Sequence, residues 1–296
     1  MAAATDYRTP DLRDPAGWRR TKNRIATILM VLAFVLVIIP LGFVLYTVIA
    51  KGASVISCSF LTGPIVPQVA PADVGGIGPA VLGTLEITGM ATVMAVPLGV
   101  LGAIYLNEYG GKGVLARLIG FMSDVMTGVP SIVMGLFLFS IWVLHFGFSG
   151  FAGALALACL MLPIVIRSTY EMLRLVPDPL REASYAVGAT KARVTTTVVL
   201  PAALGGIVSG ALLAIARAAG ETAPLLFTIL TVFTANPNIF SGANTAIPAQ
   251  IFANAASPYT GAQARAWGAA LTLIVIAFVL MIVARFITAR FTRYSR

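Results

Sequence analysis

Two charged residues, Arg217 and Glu221, stand four positions apart in an otherwise uncharged apolar run from 202 to 232. On a helix that spacing puts both on one face. A charge at the middle of a membrane helix costs about 2.5–3.5 kcal/mol on insertion scales, so two of them mark a polar path, a mutual pairing or both. Arg217 offers a planar fork of donors suited to a tetrahedral oxyanion. If an anion passes such a group it must also leave, so the contact would have to be transient. Glu221 repels anions, and two roles reconcile it with an anion path. It pairs with Arg217 while the site is empty, lowering the cost of both charges. Alternatively, it accepts a hydrogen bond from a protonated oxyanion, which a fully ionised one cannot supply. A purely structural ion pair is the third reading, and all three stay open here. Gly220 and Pro224 flank Glu221 in the same predicted helix. Pro224 lacks an N–H and frees the Gly220 carbonyl, which makes a polar notch or a hinge. Thr222 adds a hydroxyl that either meets cargo or bonds its own helix.

These residues need a frame, and the composition says what kind. Of 296 residues, 58% are hydrophobic and 10% charged, more apolar surface than a soluble chain of this length keeps from water. The net charge of +9 does not imply nucleic acid, because the basic residues flank apolar spans. Six spans are expected, roughly 25–48, 82–105, 125–146, 151–167, 202–232 and 267–286. Each lies near the ~20 residues that cross ~30 Å of hydrocarbon. The fourth is the shortest, with a kink expected at Pro163. Arg19-Arg20 ahead of an apolar run resembles a signal segment, but the run is too long and more spans follow.

With the N-terminus in the cytoplasm, all but three of the 20 Lys and Arg fall inside: Lys51 and Arg265 lie outside and Arg217 in the membrane. N-in, C-in is therefore the expected orientation. The expected organisation is a tail over 1–24, a transmembrane domain over 25–290 and a short tail over 291–296. The outer stretches 51–81 and 233–265, rich in Pro, Gly, Asn and Ser, are either docking surface or plain connection. Cys58 in a loop and Cys159 in a span do not suggest a disulfide, and with His145 they make no zinc-ligand spacing. Glu86 and Asp124 read as interfacial or structural. Pro130-Ser131 either lines the path or kinks its span. Gly99, Gly102, Gly153 and Gly210 read as packing residues.

Between the fourth and fifth spans, Pro177-Asp178-Pro179 opens a short helix, with Asp178 as N-cap and Pro179 at the first helical position. Leu180, Ala183, Ser184 and Val187 recur at helical spacing, Arg181 and Glu182 are left more exposed, and Gly188 is the stop. Periodicity alone allows an ordinary interfacial helix or an element that fits a cleft in another protein. Glu182-Ala183-Ser184-x-x-x-Gly188, then nine residues, then Val198-x-Leu200-Pro201, resembles the EAA loop of ABC importer permeases. Ser184 and Val198 are mild departures from that pattern.

Within those permeases, the chain resembles the phosphate permeases of the PstA type over about residues 75–290. Residues 216–226 carry the resemblance, with Gly128-Val129-Pro130-Ser131-Ile132-Val133-Met134-Gly135-Leu136, Leu162-Pro163-Ile164-Val165-Ile166-Arg167 and Leu175-Val176-Pro177. The continuation Ala223-Pro224-Leu225-Leu226 resembles PstA more than its relative PstC.

The resemblance implies an all-α polytopic fold of about six transmembrane helices, the MetI-like type I permease fold, in the bacterial inner membrane. It implies a coupling loop over about 175–201, with Glu182, Ala183, Gly188, Leu200 and Pro201 at the contact with a cytoplasmic ATPase. It places Arg217, Glu221 and Thr222 on the phosphate path. The implied partners are a PstC-like permease subunit, a PstB-like ATPase dimer holding ATP and Mg, a PstS-like binding protein, inorganic phosphate and membrane lipid, with no nucleic acid and no cofactor in this chain. The sequence has no Walker A loop and no hydrolytic constellation, so a non-catalytic subunit is expected. The alternatives are a permease for sulfate or phosphonate, a membrane sensor, or a secondary transporter. The last predicts internal repeats that the sequence does not show, and leaves the 182–201 loop unexplained.

Overall fold

A computed structural model of the chain describes residues 17–66, 74–111 and 113–293. Two units make it up, Met1–Ile49 and Ala50–Arg296. The first holds most of α1 (Gly17–Gly52), one helix of 36 residues with Pro40 inside it. Apolar side chains occupy all sides of its central part, so it has no polar stripe. Lys22 stands 5.1 Å over the Trp18 ring near its start, a pairing suited to a membrane interface. Residues 17–24, expected as tail, are thus the first turns of the helix; the rest of that tail lies outside the described residues.

The described residues of the second unit form helices and connections. In order they are α2 (Cys58–Thr62), α3 (Gly78–Ile104), α4 (Val114–Gly128), α5 (Ser131–Leu138), α6 (Leu144–Phe146), α7 (Gly150–Arg174), α8 (Asp178–Ala186), α9 (Lys191–Val194), α10 (Leu200–Ala219), α11 (Ala223–Thr228), α12 (Ile247–Ala255) and α13 (Thr260–Arg293). Widened π turns follow α3 at Tyr105–Tyr109, join α5 to α6 at Phe139–Val143 and join α9 to α10 at Thr195–Val199. Among the described residues, five helices are long and apolar enough to cross a membrane, or six if the bent pair Val114–Gly128 and Ser131–Phe146 is one span.

The spine is α3 packed along α7. Gly83, Ile87, Ala91, Ala95, Gly99 and Ala103 recur every fourth residue of α3, and all are buried. That periodicity makes one narrow face with little side-chain bulk, so a neighbouring backbone can approach closely. Ile87 meets Gly153, and Gly99 meets Val165, so the two helices run parallel. A Cβ on Gly99 would stand 2.7 Å from Val165 Cγ1, closer than packed atoms tolerate. Gly206 and Gly210 of α10 meet Met172 and Ser168 of α7, so α10 runs antiparallel to α7.

Several expected spans change where proline acts. The third, expected over 125–146, is bent by 108° between α4 and α5. Pro130 cannot donate to a helix and forces the residue before it out of the helical region; Val129 is accordingly extended, at φ −72 and ψ 126. The fourth runs Gly150–Arg174 without a break at Pro163, longer than expected. The fifth starts earlier, since Leu200 and Pro201 open α10 after the π turn, and it does not continue to 232.

The stretch 233–265, expected on the outer side, is partly helical. It contains α12 and the first turn of α13. Arg265, expected in an outer loop, lies inside α13 and is 1% exposed. Its Nε donates to the Val74 carbonyl, and its Nη2 to the Val66 carbonyl at 3.1 Å. Burying a guanidinium is costly unless its donors are matched, and here they tie α13 to both ends of the 67–73 segment.

Candidate functional site

Helix α10 ends at Ala219, and Gly220 caps it with its N–H on the Arg217 carbonyl at 3.1 Å. The chain resumes helix only at Ala223. Glu221 therefore sits in a break and not, as expected, inside one continuous helix with Pro224. The reason is steric as well as electronic: the Pro224 ring would clash with the carbonyl four residues back, that of Gly220, and offers it no donor. The freed carbonyl inferred from sequence becomes a full interruption. Past α11 the backbone turns at Leu230, a non-glycine residue at φ 48, and leaves helical geometry through Val232.

The break brings the charged residues together as the spacing suggested. Arg217 Nε lies 3.7 Å from Glu221 Oε1. The Arg217 side chain is 69% exposed and Glu221 22%, so the carboxylate is half-sheltered while the guanidinium reaches outward. Arg217 also occupies the last turn of α10, where the carbonyl end of the helix favours a cation. Thr222 lines an open cleft of about 560 Å³ together with Pro248, Ile251, Phe252, Ala255 and Ala256. The arrangement is an outward-reaching cation with a weakly held internal counter-ion at an interrupted helix. It can hand the cation from the carboxylate to a passing oxyanion.

The expected coupling loop folds as a separate element. Helix α8 begins at Asp178 itself, with Pro177 in the capping position, one residue earlier than the sequence suggested. It buries none of its residues. Glu182, Ala183 and Gly188 are exposed, and Gly188 takes φ 82, a conformation that suits glycine past a helix end. Arg181, expected to be exposed, is the exception: its side chain is 13% exposed and makes an ion pair at 3.3 Å with Glu108. Leu200 and Pro201 sit apart from α8, at the start of α10.

Sequence reasoning missed Glu108, Gln250 and Asn254. Glu108 follows Asn107 at the end of an apolar span; an acid in that position was the available signal. Gln250 and Asn254 are four residues apart, and the buried Gln250 donates to Thr245 Oγ1 at 3.0 Å and to the Val232 carbonyl at 2.9 Å. Asp124 is 3.8 Å from Arg167, in keeping with a structural reading.

Residues 95–293 match the family described as binding-protein-dependent transport system inner membrane component. The chain belongs to that family of ABC-type permeases. Among curated proteins it is 45% identical over 285 residues to the phosphate transport system permease protein PstA 1 of Mycobacterium tuberculosis, covering 94% of this chain and 91% of that one. It is 42% identical over 280 residues to PstA of Yersinia pestis, covering 94% of each. Within the family, the chain is of the PstA type. Solved structures agree on the fold: a chain of a bacterial alginate ABC transporter gives a TM-score of 0.63 at 15% identity, over 93% of this chain and 98% of that one. A chain of the inward-facing MetNI methionine transporter gives 0.53 at 22%, over 73% and 94%.

Proposed function

We infer that this chain is the membrane permease subunit of an ATP-driven phosphate importer, forming part of the translocation path and coupling it to a cytoplasmic ATPase. The observation that supports it best is the full-length likeness to phosphate transport permeases, with an outward-reaching Arg217 at an interrupted helix. In this reading Arg217 receives phosphate released by a PstS-like binding protein and is returned to Glu221 when phosphate leaves. Thr222 lies beside that path. A PstC-like permease subunit supplies the other wall. A PstB-like ATPase dimer holds ATP and Mg and receives α8, with Glu182, Ala183 and Gly188 at the contact. Leu200 and Pro201 carry the movement into α10. Both termini face the cytoplasm, in keeping with the distribution of Lys and Arg. The chain itself catalyses no reaction.

The test is uptake by proteoliposomes holding this chain, its membrane partner and the ATPase, with binding protein outside and ATP inside. The expected result is ATP-dependent phosphate uptake that sulfate does not compete away. Uptake without ATP would make the protein a secondary carrier. Robust uptake of another oxyanion, with none of phosphate, would keep the architecture and overturn the substrate.

A further inference from the structure

Helix α8 buries no residue of its own, so apolar packing does not fasten it to the membrane helices. A lever held this way would fold aside under load unless something else secured it. Arg181 provides the fastening. Its Nη1 donates to the Val176 carbonyl at 2.6 Å and to Asp178 Oδ1 at 2.9 Å. Its Nη2 donates to the Leu173 carbonyl at 2.9 Å and to Glu108 Oε1 at 3.3 Å. Leu173 is in the last turn of α7, its carbonyl also accepting from the Val176 N–H at 3.3 Å, and Val176 lies just beyond it. A single guanidinium thus joins α8 to the end of α7 and, through Glu108, to the end of α3.

The other side of the joint is equally built. The Glu108 side chain is 6% exposed, and Asn107 Nδ2 donates to the same oxygen at 2.8 Å. Glu108 stands in the π turn Tyr105–Tyr109. One extra residue in a turn rotates the chain beyond it by about 100° relative to an unbroken α-helix. That rotation helps set which side of α3 Glu108 projects from. A second tether falls on the same turn: the Lys191 ammonium, beyond α8, lies 5.3 Å over the Tyr109 ring. Gly206 and Gly210 of α10 pack on Met172 and Ser168 of α7, so the helix that carries Arg217 belongs to the same packed body.

We propose that Arg181 and Glu108 are positioning residues that form the transmission joint of this permease, making α8 move as one body with α3 and α7. The proposal rests on the importer reading above, in which α8 docks on the ATPase. Neither residue touches phosphate or ATP. Their role is to keep an ATPase stroke from being lost in a swivel of α8.

The experiment measures phosphate imported per ATP hydrolysed, the melting temperature and retention of the ATPase, in the reconstituted complex. Three variants are compared with wild type: Glu108→Gln, Glu108→Gln with Arg181→Gln, and Arg181→Lys. Glu108→Gln leaves a largely buried cation short of its partner, so both the melting temperature and the ratio fall. The ratio drops roughly five- to tenfold, at the low end of couplings between sites, with the ATPase still bound and still hydrolysing. Removing both charges relieves the unpaired cation, so the double variant regains melting temperature. Its ratio stays low because the joint is gone. Arg181→Lys, which cannot reach all four acceptors, falls between. A ratio that recovers together with melting temperature in the double variant would make the pair merely structural. Wild-type ratios in Glu108→Gln and Arg181→Lys would overturn the joint alone. A wild-type complex with no ATP-dependent uptake would overturn the importer reading and the joint with it.

Discussion

Arg217 Nε stands 3.7 Å from Glu221 Oε1, across the point where α10 ends. The separation exceeds that of a strong charge-assisted hydrogen bond, and most of the Arg217 side chain is exposed. The cation is therefore held loosely enough to be taken by another anion. Arg217→Ala is expected to lower phosphate uptake by about tenfold or more, because no other donor fork lies on this helix. Arg217→Lys keeps the charge and recovers part of the rate. Uptake kinetics in proteoliposomes read both.

Glu221 separates the two roles open on sequence grounds. The pair is long, at 3.7 Å, so a carboxylate that serves only as resting counter-ion is replaceable. Glu221→Gln is expected to change uptake by no more than about fivefold and to leave the preference for phosphate over sulfate intact. Loss of that preference would instead assign Glu221 to recognising the phosphate proton.

Pro224 keeps α10 and α11 apart. Pro224→Ala restores an N–H that can reach the Gly220 carbonyl and removes the ring that clashes with it. The expected outcome is a protein that inserts and melts normally but imports phosphate several-fold more slowly. Site-directed spin-label distances across 217–226 would show the segment straightening.

Gly99 and Gly102 make a paired test of the spine. A Cβ at Gly99 falls 2.7 Å from Val165 Cγ1, whereas one at Gly102 meets Ile166 at an ordinary 3.6 Å. Gly99→Val is expected to cost about 1–3 kcal/mol through overpacking, and Gly102→Ala close to nothing. Thermal unfolding in detergent compares them.

Arg265→Met removes the donor that ties α13 to the Val66 and Val74 carbonyls. Leaving a buried acceptor unmatched costs about 1–3 kcal/mol. The expected result is a lower melting temperature. Arg265→Lys does not rescue it fully, because a lysine cannot present a fork to two separated carbonyls.

Much was legible in the chain because membrane insertion reads composition directly. Long apolar runs had to become spans, and two charges inside one of them had to be placed together. Arg217 and Glu221 meet because four residues of chain keep them within one turn of each other, even though α10 ends between them. The 182–201 motif likewise marked a separate short helix at α8. Proline was harder to read. Pro163 leaves α7 unbroken, Pro130 bends its span sharply, and Pro224 ends α10. Local chemistry permits all three outcomes, and neighbouring helices select among them.

The sequence by itself determined the class of protein and where the long apolar helices fall, and it singled out Arg217 and Glu221 as neighbours, since these follow from hydropathy and local spacing. Only the tertiary structure decided that Arg181 turns inward to Glu108, 73 residues away, and that Arg265 is buried. It also decided that Glu221 lies in a break between helices. The first two depend on which groups distant chain segments bring within hydrogen-bond reach, and the third on how far Pro224 interrupts the helix. Hydropathy and periodicity describe one segment at a time and carry no such information.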